Sequence, residues 1–120
     1  MASFSMREVD MPASPSMSPS RQREALLEAV DQGLAVPGEI VRAAIYERIE
    51  RSYQVRREEI PEKVEIFHKA LQDLFGAGAK VMEKLIAKNL YSRLGLSFTE
   101  HANWTLADYV NHVKKESSGE

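Results

Sequence analysis

Three lysines, Lys80, Lys84 and Lys88, stand four residues apart. On a helix their ammonium groups line one face over about 12 Å. Like charges at that spacing cost about 0.2–0.5 kcal/mol per pair, and Glu83 offsets only part of this. Tyr91 continues the row with a ring that can stack on a base. Such a pattern suits a face that tracks phosphates, releasing counterions as each is neutralised. The simpler account is a helix with one narrow wet face, which lysine covers with its stem while its charge stays in water. Sixteen Lys and Arg against eighteen Asp and Glu give a net charge of −2. That balance favours the simpler account and makes nucleic acid the lesser of two partner classes.

Other chemistry is thinner. The run Gly76-Ala77-Gly78-Ala79-Lys80 looks like an anion-cradling turn before a helix, but it lacks the preceding strand and the Gly-Lys-Ser/Thr ending of a phosphate loop. A helix–turn–helix is a second possibility, although Gln72 stands where such a turn packs a small apolar residue. Two helices reversing direction at close range account for these glycines most simply. His68, His101 and His112 share no ligand spacing on one element, so no metal or other cofactor is expected. Glu58, Glu59 and Glu62 cluster near a helix start, where the helix dipole alone accounts for acids. Glu62, His68 and His112 are the only residues an enzyme reading could use, and they stand isolated; no catalytic residue is expected. The chain has no cysteine, which removes disulfides, thiol nucleophiles and thiolate metal sites.

The second functional candidate is a helix over about 37–53. Ile40, Ala43 and Ala44 add apolar surface beyond the row Val41, Ile45, Ile49 and Tyr53. Surplus of this kind marks a second neighbour within the fold or a protein–protein patch. Arg42, Arg48, Arg51, Arg56 and Arg57 frame it, mixed with Glu39, Glu47 and Glu50. Mixed signs suit the polar rim of a protein partner better than a phosphate backbone. Arg42, Tyr46 and Arg51 are therefore the interaction candidates, with a solvated face carrying a Glu47–Arg51 pair as the plainer alternative.

These residues need elements to hold them. Residues 1–20 hold six Ser, three Pro and four of the five Met without any apolar period, and are expected to be a disordered tail. From Arg21, Leu26, Leu27, Val30 and Leu34 take a helical face, with Gly33 as its left-handed end. Pro37 is expected to open the second helix and Pro61 the third, whose stripe is Val64, Phe67, Leu71, Leu74 and Phe75. The fourth helix, about 78–94, carries Ala79, Val81, Met82, Leu85, Ile86, Leu90 and Leu94 around more than half its circumference. A girdle that wide predicts a central helix. Thr105 and Asp108 start the last helix as a capping box, with Leu106, Tyr109, Val110 and Val113 on its buried face. Trp104, just before it, is expected to staple that start to the core.

The sum is an all-α bundle of about five helices over 21–116, with a short disordered end at 117–120. No apolar run approaches the roughly 18 residues of a membrane span, and residues 1–20 lack the basic-then-apolar pattern of a signal. A cytoplasmic, non-enzymatic chain is the expectation.

Ala44-Ile45-Tyr46, Glu59-Ile60-Pro61-Glu62, Phe75-Gly76-Ala77-Gly78-Ala79-Lys80-Val81, Glu83-Lys84-Leu85-Ile86 and Leu90-Tyr91-Ser92 through Leu96 resemble the archaeal Nitrosopumilus output domain family. The likeness covers about 37–114, with the block from Phe75 to Val81 its most specific part. It implies a small helical domain of unknown biochemical activity, proposed as an output module in archaeal signalling proteins. It supplies no catalytic residues. With no room here for a sensor or receiver domain, the resemblance implies a partner in trans, a second protein or another copy.

Overall fold

The computed structural model describes residues 18–118, and side chains as far as 116. Of the tail expected at 1–20, residues 1–17 lie outside the described residues, as do 119–120 of the end expected at 117–120. Ser18 caps α1 (Pro19–Ala35), its hydroxyl accepting from the Arg21 N–H at 3.2 Å, and Pro19 takes the first turn, where a missing N–H costs nothing. Residues 18–20 thus belong to the helical body rather than to the expected tail. There follow α2 (Glu39–Tyr53), a 3-10 helix (Arg57–Glu62), α3 (Val64–Phe75), α4 (Gly78–Arg93) and α5 (Leu106–Ser118), so the last helix runs into the expected disordered end. Among the described residues there is no strand, and no helix is long and apolar enough to cross a membrane.

Three expected boundaries moved. Gly33 is not a helix end: α1 continues to Ala35, and Gly33 is buried within it. A Cβ there would stand 2.6 Å from Ile86 Cγ1, so the glycine serves the close approach of α1 to α4. Gly38, at φ 130°, supplies the glycine-favouring turn instead, which leaves Pro37 in the connection and starts α2 at Glu39. Pro61 does not open α3. The Glu59 carboxylate accepts from the Arg56 N–H at 2.9 Å and begins the 3-10 helix earlier, so Ile60 and Pro61 are buried in that element and α3 follows at Val64.

α4 is central, packing on α1, α3 and α5, while α2 lies on α1 and α3. α1 and α4 run antiparallel, with the Arg21 guanidinium donating to the Arg93 carbonyl at one end and Gly33 meeting Ile86 towards the other. α4 closes with Gly95 at φ 72°: the Leu96 N–H reaches the Tyr91 carbonyl (2.9 Å) and the Gly95 N–H that of Ser92 (3.1 Å). These are the two bonds of a Schellman motif. The following extended link tucks Leu96 and Phe98 partly into the core, and α5 starts as expected. Thr105 and Asp108 exchange capping bonds, and Trp104 packs on Tyr109 with ring centroids 4.9 Å apart, an N′–N4 staple.

The girdle of α4 faces differently from the expectation. Val81 and Leu85 are exposed, whereas Glu83 and Tyr91 are buried. Val41, expected in the buried row of α2, is also exposed. The core is a single cluster running through all five α-helices and the 3-10 helix.

Candidate functional site

The lysine row is broken by the fold. Lys80 and Lys88 are exposed, but Lys84 is paired with Glu100 at 2.7 Å across to the link before α5. Tyr91 is not on the wet face at all: its ring is buried among Phe98, Tyr109 and His112, and its hydroxyl donates to the Tyr109 carbonyl at 2.9 Å. Burial pushes that hydroxyl's pKa up to about 12. The ring expected to stack on a base is a core residue. It was misplaced because its single polar atom has a partner inside.

The candidates on α2 separate into two roles. Tyr46 is half-buried and braces the fold. Its hydroxyl donates to Asp31 on α1 at 2.5 Å, while the Arg57 guanidinium holds both oxygens of that carboxylate at 2.8 and 2.5 Å. Burial, and then the bond to Asp31, raise the Tyr46 hydroxyl above the usual phenol range. Arg42 pairs with Glu39 at 2.5 Å and Arg51 with Glu47 at 2.7 Å. The last is the i, i+4 pair of the plainer alternative, and it is largely exposed. Exposed pairs of that kind contribute about 0–1 kcal/mol.

The surplus apolar surface is outside. Ile40 is 86% exposed, with Val41 at 39% and Ala43 and Ala44 exposed on the same helix, and Val36, at the end of α1, is 69% exposed. At 100° per residue, Ile40, Ala44, Glu47 and Arg51 fall on one outward stripe of α2, opposite the buried Ile45 and Ile49. Arg51 is on this stripe, and Tyr46 is not.

One constellation was not anticipated. Glu83 is the only buried charged side chain among the described residues. One oxygen meets Nδ1 of His68 on α3, and the other accepts from the Leu106 N–H at the start of α5, at 2.9 Å. A clue was present: Glu83 lies four residues after Ala79 and three and four before Ile86 and Ala87, in the middle of the buried stripe. Its partners lie 15 and 23 residues away, which no spacing rule reveals. Beside it, His101 stacks on Trp104 with centroids 3.8 Å apart. Both oxygens of Glu83 are spent on the fold, so the pair acts as a clamp joining three helices. No group of three or more His, Asp or Glu among the described residues is placed to hold a metal ion.

Comparison with protein-family models, with characterised proteins and with solved structures finds no match for the chain.

Proposed function

We propose that the chain is a non-enzymatic helical interaction module, cytoplasmic in setting, which docks a protein partner or a second copy on the outer stripe of α2. The observation that carries this reading is Ile40, 86% exposed and next to the exposed Val41 on a helix whose opposite face already serves the core. Aliphatic side chains bordered along the stripe by Glu47 and Arg51 form the centre-and-rim pattern of a protein interface, whereas Arg42, two positions after Ile40, turns to the α1 side of the helix. The patch is small, which suits a transient contact rather than an obligate one. An output role in archaeal signalling belongs to the same proposal and rests on the family resemblance.

The test is Ile40→Asp, assayed by light scattering on the purified chain and by crosslinking in a native lysate. Exposed substitutions change stability by about 0.5 kcal/mol or less, so the variant keeps its melting temperature while its complexes disappear. If the wild-type chain stays a lone monomer in both assays, the reading is wrong.

A further inference from the structure

Two cavities stand apart from the α2 stripe. The larger, about 740 Å³ over Leu26, Leu90, Val110 and Val113, is largely apolar, and nothing in the structure shows what covers it. The smaller, about 360 Å³, lies where the Gly76-Ala77 turn between α3 and α4 meets the link before α5. We propose that this second cavity binds a phosphate group, free or as the head of a small phosphomonoester. Its volume falls within the range of about 300–1,000 Å³ of small-molecule sites. The run from Gly76 to Lys80, which lacks the strand and the ending of a phosphate loop, lines one side of it.

Polar side chains reach this cavity from three separate elements: His68 and Gln72 from α3, Lys80 from α4 and Asn103 from the link. Gln72, Lys80 and Asn103 have no hydrogen-bond or ion-pair partner among the described residues, whereas Lys84, one turn on, is held by Glu100. His68 spends Nδ1 on Glu83, which leaves Nε2 as its one ring nitrogen for a ligand. Glu83 is the single acid of the lining, and its two oxygens are engaged by His68 and by the Leu106 N–H. Lys80 occupies the first turn of α4, where the helix dipole opposes a cation and no acidic side chain offsets it. A lysine set against its own helix and left without a partner is a local cost that a bound anion removes. One point charge with amide and imidazole groups arriving from three directions suits a tetrahedral oxyanion. A planar carboxylate is better served by a guanidinium fork, which the lining lacks. Trp104 adds a large apolar wall for the carbon part of an ester.

Trp104 is the chain's only tryptophan, so its emission reads the site directly. The full chain is titrated at constant ionic strength with inorganic phosphate and with glycerol phosphate, acetate serving as comparator. Both phosphates change the emission and saturate, acetate does not, and amide NMR places the shifts at Gly76, Ala77, Lys80 and Asn103. Tighter binding of glycerol phosphate identifies an ester as the ligand, and equal or tighter binding of inorganic phosphate identifies the free anion. Lys80→Gln weakens Kd by at least about ten-fold, as loss of a hydrogen bond to a charged group does, and Gln72→Ala by about five-fold. Lys88→Gln, on the same helix but outside the cavity, changes nothing. All three residues are exposed, so the variants keep the fold. Emission that never saturates, acetate that binds as well, or a Lys80→Gln variant that binds phosphate like wild type overturns the proposal. So does equal weakening by Lys88→Gln, because the lysine row, and not the cavity, is then the anion surface. Ile40→Asp leaves phosphate binding intact, so this result and that of the α2 reading fail separately.

Discussion

Replacing Gly33 by alanine sets two effects of known size against each other. Within a helix, alanine is better than glycine by about 1 kcal/mol, through backbone entropy alone. Against that, the new methyl would stand 2.6 Å from Ile86 Cγ1 and 3.5 Å from its Cδ1, with the Ile86 Cα only 3.8 Å away. Carbon atoms rest at about 3.5–4.0 Å, so either the helices part by about an ångström or Ile86, which is wholly buried, leaves its rotamer. Overpacking of this kind costs about 1–3 kcal/mol, so Gly33→Ala destabilises by about 1 kcal/mol net, lowering the melting temperature by roughly 4–8 °C. Urea unfolding followed by circular dichroism gives the number. The decisive version uses an Ile86→Ala background, which itself costs about 2–5 kcal/mol. There the obstructing atoms are gone, and Gly33→Ala becomes stabilising. If alanine costs the same in both backgrounds, the contact between α1 and α4 is not what glycine serves.

Two further outcomes follow from the polar network. Glu83→Ala removes the partner of the Leu106 N–H and of His68 together, and leaving a buried polar group without its partner costs about 1–3 kcal/mol. His68 is a quarter exposed and can turn to water, so the loss stays within that range, and amide exchange in the first turn of α5 accelerates. Normal protection of the Leu106 amide in that variant would refute the clamp. At Asp31, burial alone would raise the carboxyl, but bonds from Arg57 and Tyr46 hold it below its ordinary value of 3.8. Its contribution is therefore complete above pH about 4 and lost as the pH falls through the lower, folded value. Asp31→Asn lacks it throughout, so the stability gap to wild type is widest above pH 4 and narrows below. A gap that widens on acidification would reverse the sign of this argument.

The helical period carried most of the fold. Leu26 and Val30, Ile45 and Ile49, Phe67 and Leu71, and Leu106 and Val113 are all buried on the faces where they recur. Boundaries failed where a residue type has two uses. Pro61 suits the start of an α-helix and also sits within a short 3-10 turn, while Gly33 suits a helix end and also a close helix crossing. Of the candidate site, the apolar surplus at Ile40 and the Glu47–Arg51 pair were legible, because they are properties of one helix. The brace on Tyr46 was not, since Asp31 and Arg57 reach it from two other elements.

The face of α4 shows why a wheel of polar and apolar residues stops short of a site. Hydropathy ranks Val81 and Leu85 as inside and Glu83 and Tyr91 as outside, and the fold reverses all four. The reversal is physically consistent because each buried polar atom has a backbone partner on α5: Glu83 at Leu106 and Tyr91 at Tyr109. Apolar contacts alone would let α5 slide along its groove by part of a turn at little cost. Two directional bonds three residues apart on α5 admit only one register, and an unsatisfied carboxylate in any other would cost several kcal/mol. We read the pair as a registry device. The register it selects places Val110 and Val113 opposite Leu26 and Leu90, so the same two bonds that misled the wheel give the apolar cavity its shape.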